Sequence, residues 1–170
     1  AGLIGFAIPM LFVFVIYLMD NKIHNASEVE KLSKIPILGL IGKLTNKNNL
    51  VVFDKPKSTV AESFRALRSS LQFIYKNQTG SEKLGKTLMI TSSVSGEGKT
   101  FCSINMASVY ALSGKKTILL GLDLRKPKIF NDFNLNNDKG IVNYLIGEEQ
   151  LNNVISQTKI ENLDLISSGP

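Results

Sequence analysis

The first 19 residues (AGLIGFAIPMLFVFVIYLM) carry no charge and are almost wholly apolar. The hydrocarbon core of a bilayer is ~30 Å thick and needs about 20 apolar residues at a helical rise of ~1.5 Å each. The run therefore predicts a transmembrane helix over residues 1–19, with a buried core helix as the plainer alternative. A secretory leader is a poor fit, because no basic segment precedes the run and no small-residue cleavage site follows it. Pro9 is tolerable inside a membrane helix, where neighbours re-satisfy the freed carbonyl.

Beyond the run the pattern changes to amphipathic and mixed segments. Ser27-Glu28-Val29-Glu30 fits a capping box that opens a short helix through Leu32. Residues 35–39 (IPILG) read as an extended connector, since Pro disfavours helix in the residue before it. Residues 43–57 are polar and poorly periodic and read as linker. Ser58 is a candidate N-cap for a helix over 59–76, in which Phe64, Leu67, Leu71 and Ile74 form one apolar face. Glu62, Arg65 and Arg68, three residues apart, fall on a neighbouring face. Residues 77–85 read as a loop.

The remainder alternates short apolar runs with helical segments. Residues 87–91 (TLMIT) suit a buried parallel strand. A Gly-rich loop and a helix over 99–112 follow, stopped at Gly114. Residues 117–122 read as a second strand, 140–146 and 149–157 as two short helices, and 163–166 as a third strand. This order predicts an α/β fold whose parallel sheet is covered on both faces.

Composition narrows the class. The chain has 170 residues, 44% of them hydrophobic and 20% charged, which excludes a disordered tail and a polytopic membrane protein. One Cys and one His exclude an intramolecular disulfide and argue against a dedicated His/Cys metal centre. Of the net +6, residues 22–116 contribute +9 (15 Lys/Arg, 6 Asp/Glu), residues 117–170 contribute −2 (5 and 7), and Asp20 contributes −1. A nucleic-acid footprint has only this basic stretch in its favour. Its start just after the apolar run fits a cytoplasmic flank by the positive-inside bias, as does the lack of disulfides.

The chemistry concentrates in Ser93-Val94-Ser95-Gly96-Glu97-Gly98-Lys99-Thr100. This matches a P-loop at its Gly-Lys-Thr end, with Ser93 where the strict pattern has Gly. Gly96 and Gly98 allow positive φ, so successive N–H groups can line one concavity. The helix that starts near Lys99 adds its N-terminal dipole to that anion site. Lys99 is placed to reach the β- and γ-phosphates and the Thr100 hydroxyl to ligate Mg²⁺. The candidate cofactor-binding set is Ser95, Gly96, Glu97, Gly98, Lys99, Thr100 and Phe101. An ordinary Gly-rich turn is the alternative. The run ILLGLDLRKP supplies Asp123 at the C-terminal end of a strand, the edge at which α/β sheets bind ligands. Asp123 is thus a catalytic and metal-ligating candidate beside Lys99 and Thr100, with a turn cap as the alternative. Arg125 and Lys126 read as a solvated basic cluster or as contacts to phosphates or a neighbouring subunit.

Taken together, the apolar run and the segments KIPILG, ESFRALRSSLQF, TSSVSGEGKT, LLGLDLRKP and NLDLISSGP resemble, in their order, the bacterial tyrosine kinases attached to polysaccharide co-polymerases. The resemblance covers essentially the whole chain. It implies an inner-membrane protein with a cytoplasmic P-loop kinase part that uses ATP and Mg²⁺ to phosphorylate tyrosines in the tail of a neighbouring subunit. It further implies partnership with the polysaccharide polymerase and export machinery of capsule or exopolysaccharide. The family's oligomerisation motif falls on Glu62, Arg65 and Arg68, which would pair with the adjacent subunit of a homo-oligomeric ring. Without the resemblance these three read as a salt-bridged, solvated helix face. The family usually carries two Asp residues in its second acidic motif, and here the first position is Gly121.

The implied organisation is a transmembrane segment (1–19), a juxtamembrane linker (20–57) and the N-terminal portion of a P-loop kinase domain (58–170), truncated at both ends. Tyr17, Tyr75, Tyr110 and Tyr144 are scattered and read as interface or core residues. Two functions compete: an autophosphorylating kinase, and a ring-forming regulator whose nucleotide site only drives assembly. Gly121 favours the second. A partitioning ATPase of the same superfamily is disfavoured, because Val94 stands where those proteins carry a signature Lys.

Overall fold

The apolar run at the start of the chain is helical. The computed structural model describes residues 2–20, 22–23, 25–44, 48–78 and 85–170. The chain divides into two units, residues 1–37 and 38–170. In the first, helix α1 spans Gly2–Met19 with Pro9 inside it. Eighteen residues at a rise of ~1.5 Å give about 27 Å, short of a ~30 Å hydrocarbon core. Among the described residues no helix is long and apolar enough to cross a membrane, so the expected transmembrane helix is not established. Helix α2 (Ala26–Ser33) is capped by Asn25, whose Oδ1 accepts from Glu28 N at 3.0 Å. The expected cap, Ser27, lies inside the helix and donates its hydroxyl to the same Asn25 oxygen at 2.6 Å. Asn wins because its oxygen reaches the N–H three residues on from an extended backbone.

Among its described residues, the second unit is an α/β assembly of a three-stranded sheet and six helices. These are α3 (Val51–Asp54), α4 (Thr59–Gln78), α5 (Lys99–Ala111), β1 (Thr117–Leu120), α6 (Ile129–Asp132), α7 (Ile141–Leu145), α8 (Leu151–Val154), β2 (Ser156–Gln157) and β3 (Leu163–Ile166). Strand order is β1-β3-β2. β1 and β3 are parallel, with Thr117 opposite Leu163 and Leu120 opposite Ile166. β2 runs antiparallel to β3.

Helix α5 organises the core because every residue from Ile104 to Val109 is buried. Ile104, Ala107 and Ala111 recur at helical spacing and pack on Leu119, Leu163 and Leu165 of the sheet. Met106 and Val109, on another face, join Val60, Phe64, Leu67 and Leu71 of α4. α5 thus lies between the sheet and α4. Ser58 Oγ accepts from Ala61 N at 3.1 Å, as its expected cap role requires. α4 runs two residues past its expected end, and the rest of the loop expected at 77–85 lies mostly outside the described residues.

Four expectations need correction. Residues 87–91 form no strand and pair with none among the described residues. Leu88 and Met89 are exposed, and only Ile90 packs into the α4 side of the core. An apolar run cannot specify its partner, and among the described residues the sheet forms from β1, β3 and β2. Second, one face of the sheet is only partly covered: opposite buried Leu119, Ile118 and Leu120 of β1 are exposed while Ile166 of β3 is buried. Third, the helix expected over 149–157 stops at Val154, because Ser156 and Gln157 pair with Leu165 and Asp164. Fourth, the supposed linker contains α3, whose Val51 (2% exposed) and Val52 (0%) belong to the core.

That fourth difference has a specific cause. Asn105 of α5, fully buried, accepts from Val52 N at 2.9 Å and donates to Asn49 O at 2.7 Å and to Phe101 O at 2.8 Å. One side-chain amide thereby satisfies backbone groups of the 49–52 segment that the segment cannot satisfy itself.

Candidate nucleotide-binding site

The loop between residues 87–91 and α5 is built for an anion. Gly96 and Gly98 have φ of 91° and 95°, a region where an L side chain is strained by about 1–2 kcal/mol. Gly98 is the N-cap of α5, and the first intrahelical bond runs from Cys102 N to Gly98 O at 2.9 Å. The N–H groups of Lys99, Thr100 and Phe101 precede it and have no carbonyl four residues back within the helix. These donors and the aligned helix dipole concentrate partial positive charge at the loop.

Lys99 folds over the loop rather than into solvent. Its Nζ donates to Ser92 Oγ at 2.7 Å and reaches Val94 O at 3.4 Å. Ser92 Oγ in turn donates to Val94 O at 2.8 Å. On the other side of the turn, Glu97 Oε2 accepts from Ser93 N at 3.0 Å and Val94 N at 3.3 Å. Three side chains, those of Ser92, Glu97 and Lys99, and backbone groups of Ser93 and Val94 therefore lock one loop conformation. Ser92 was not among the sequence candidates. The only hint of it is its place at the end of the apolar run, within reach of a loop lysine.

The remaining candidates are distributed as follows. Ser95 and Thr100 are exposed on the loop and at the start of α5. The Phe101 ring packs edge-to-face on Phe64, with centroids 5.7 Å apart, so its possible contribution to an anion is its backbone N–H and not its ring. Asp123, exposed just beyond β1, accepts from Arg125 N at 3.3 Å and Lys126 N at 3.1 Å. It therefore caps its own turn, the alternative role that its sequence position allowed. Among the described residues no cluster of three or more His, Cys, Asp or Glu could hold a metal ion. Thr100 and Asp123 offer hard oxygen donors, and their number fits Mg²⁺, which keeps waters and takes few protein ligands beside phosphate oxygens.

A Cβ at Gly121 would lie 2.7 Å from Ile129 Cγ2, so the side chain of α6 fills the space that an Asp would need there. Cys102 sits one turn into α5, and burial pushes its thiol up. Burial also raises Tyr110; the Tyr75 hydroxyl adds to the shift and the Arg68 guanidinium opposes it.

Glu62, Arg65 and Arg68 do not act as one cluster. Arg65 Nε lies 2.5 Å from Glu62 Oε2, and its Nη2 donates to Pro56 O. Arg68 instead turns to α5, where Nη1 donates to Val109 O at 3.2 Å and its buried Nε has no partner among the described residues.

A strand-like run, a phosphate loop locked by its own lysine and a helix N-terminus define a P-loop nucleotide-binding domain. An AAA domain family model matches residues 85–169, half of the chain, and the chain belongs to that family. Among its relatives and structural neighbours are proteins named as bacterial tyrosine kinases. CapB of Staphylococcus aureus is 40% identical over 121 residues, covering 71% of this chain and 51% of that protein. Tyrosine-protein kinase YwqD of Bacillus subtilis is 32% identical over 124 residues, covering 73% of this chain and 50% of that protein. The kinase domain of Escherichia coli tyrosine kinase ETK superimposes with a TM-score of 0.72 at 30% identity, covering 85% of this chain and 59% of that one. The chain spans about half the length of the curated relatives it matches.

Proposed function

We propose that this chain is the nucleotide-binding part of a membrane-anchored, ATP-dependent protein-tyrosine autokinase that regulates capsular or exopolysaccharide polymerisation and export. The observation that carries the reading is the Lys99–Ser92–Val94 network across a loop with two positive-φ glycines. Lys99 holds its cation over the loop, so it can transfer from Ser92 and Val94 to phosphate oxygens without a large search. The orphan N–H groups at the start of α5 would receive the phosphate charge, and Thr100 with Asp123 would hold Mg²⁺. When bound, the metal neutralises charge on the transferred phosphoryl group. Both backbone contacts of Asp123 use Oδ1, so Oδ2 can take the metal while the turn stays capped.

In the same proposal, residues 1–19 anchor the protein in the inner membrane, 20–57 lead to the cytoplasmic kinase part, and 58–170 begin that part. Glu62, Arg65 and Arg68 contribute to a ring of subunits in which one active site meets the tyrosine-rich tail of the next. Incubating membranes that carry the protein with Mg²⁺-ATP should yield phosphotyrosine, and Lys99→Met should abolish it. Unchanged phosphotyrosine in the Lys99→Met protein would refute the assignment.

A second reading is favoured by one observation. Gly121, with Ile129 against it, leaves no carboxylate at the position where the kinases usually have one. A ring-forming regulator whose nucleotide site drives assembly alone would bind Mg²⁺-ATP and form no phosphotyrosine.

A further inference from the structure

We infer that Glu97 is a positioning residue of the phosphate loop. Its carboxylate braces the loop's entry half so that the donors nearer α5 face the phosphates. The inference rests on the nucleotide reading above and assigns Glu97 a role that differs from touching the ligand. Glu97 Oε2 accepts from both Ser93 N at 3.0 Å and Val94 N at 3.3 Å. These are consecutive backbone donors at the position where the loop leaves the apolar run. Opposite them, the Val94 carbonyl receives Ser92 Oγ at 2.8 Å and Lys99 Nζ at 3.4 Å. Val94 is thus held by its N–H from Glu97 and by its C=O from Lys99. The two side chains fix one peptide segment from its two polar edges.

The residue type follows from this geometry. A carboxylate oxygen takes two N–H donors at once, a task that needs an acceptor of this reach more than it needs the charge. It sits between Gly96 (φ 91°) and Gly98 (φ 95°), whose backbone turns Glu97 back towards residues 93 and 94. A negative charge in a polyanion site is unfavourable unless it is committed elsewhere, and here two amides hold it. By occupying these two amides, Glu97 assigns phosphate binding to the N–H groups of 98–101 at the start of α5. Without the brace, the flexible glycines leave Lys99 and those amides less pre-organised, and nucleotide affinity falls.

The test is a titration of the chain with mant-ATP and Mg²⁺, using wild type, Glu97→Ala and Glu97→Gln, with circular dichroism to check that each is folded. Glutamine keeps an oxygen acceptor of the same reach and loses only the charge. The expected result is a Kd about three- to tenfold higher for Glu97→Ala, with Glu97→Gln within about threefold of wild type. In ¹⁵N spectra, the Ser93 and Val94 amides should shift in Glu97→Ala and stay near their wild-type positions in Glu97→Gln. A merely structural role would not give this rescue pattern. If wild type binds and Glu97→Ala binds equally or more tightly, the brace is wrong and the carboxylate is neutral or competes with phosphate. If wild type fails to bind, the nucleotide reading itself is overturned, and the brace with it. Should Glu97→Ala be unfolded, the decision passes to Glu97→Gln, and a tenfold loss there overturns the inference.

Discussion

Asn105→Ala tests how the segment before α4 is held, because a single buried side chain carries that junction. Removing it takes away the acceptor for Val52 N and the donors for Asn49 O and Phe101 O. The Phe101 carbonyl lies within α5 and keeps its helical partner. Val52, the second residue of α3, has no carbonyl four residues back within its own helix, so its N–H depends on Asn105. Two backbone groups are then orphaned, in a region where Val52 and residue 105 are 0% exposed. A buried unsatisfied group costs ~1–3 kcal/mol, so the pair costs about 2–6 kcal/mol, less whatever an entering water recovers. Against a typical domain stability of ~5–15 kcal/mol this is a large fraction. Urea unfolding should show the midpoint falling with little change in slope. Amide exchange at Val52 should accelerate more than at Leu165 in the sheet. A loss below about 1 kcal/mol with Val52 still protected would refute the reasoning, since something else would have to hold the segment.

Three further outcomes follow from the geometry. Arg68→Ala should cost about 1.5–3 kcal/mol of stability through its bond to Val109 O, whereas the exposed Glu62–Arg65 pair should give less than ~1 kcal/mol on Glu62→Ala; equal losses in urea unfolding would contradict that division. The Glu149 carboxyl is held below the usual carboxylate range by hydrogen bonds from Lys139 and Asn153. Its contribution is therefore present at neutral pH and is lost as the pH falls through its lowered value. Lys139→Ala should move its titration, followed by ¹³C NMR, back towards the ordinary range, and an unmoved midpoint would refute the assignment. Deleting residues 1–19 should shift the protein from the membrane pellet to the supernatant at high salt, which suppresses lipid attraction by the basic stretch; continued pelleting would show a different anchor.

The parts legible in the sequence are those whose signal is local. The Gly96–Thr100 segment announces its backbone demands residue by residue. Helices α4 and α5 show apolar spacing and recognisable ends, Ser58 and Gly98. β3 was visible as a short apolar run bounded by turn residues. What was hidden depends on distant partners. Nothing near Val51 and Val52 says that Asn105, more than fifty residues on, will satisfy their backbone. Residues 87–91 look like β1 in composition, yet among the described residues only β1 pairs with another strand. Arg68 repeats the spacing of Arg65, but its direction is set by the Val109 carbonyl of another helix. Ser92 became part of the site only when Lys99 was seen to reach it.

The central claim is that this loop binds nucleotide phosphates through Lys99, and a Mg²⁺-ATP binding measurement on wild type and Lys99→Met tests it most directly. Methionine keeps much of the apolar stem and removes the cation. A charge-assisted contact contributes ~1.5–3 kcal/mol, so the account predicts measurable wild-type binding and a Kd higher by about one to two decades in Lys99→Met. Equal affinity in the two proteins, or no binding by wild type, would contradict it.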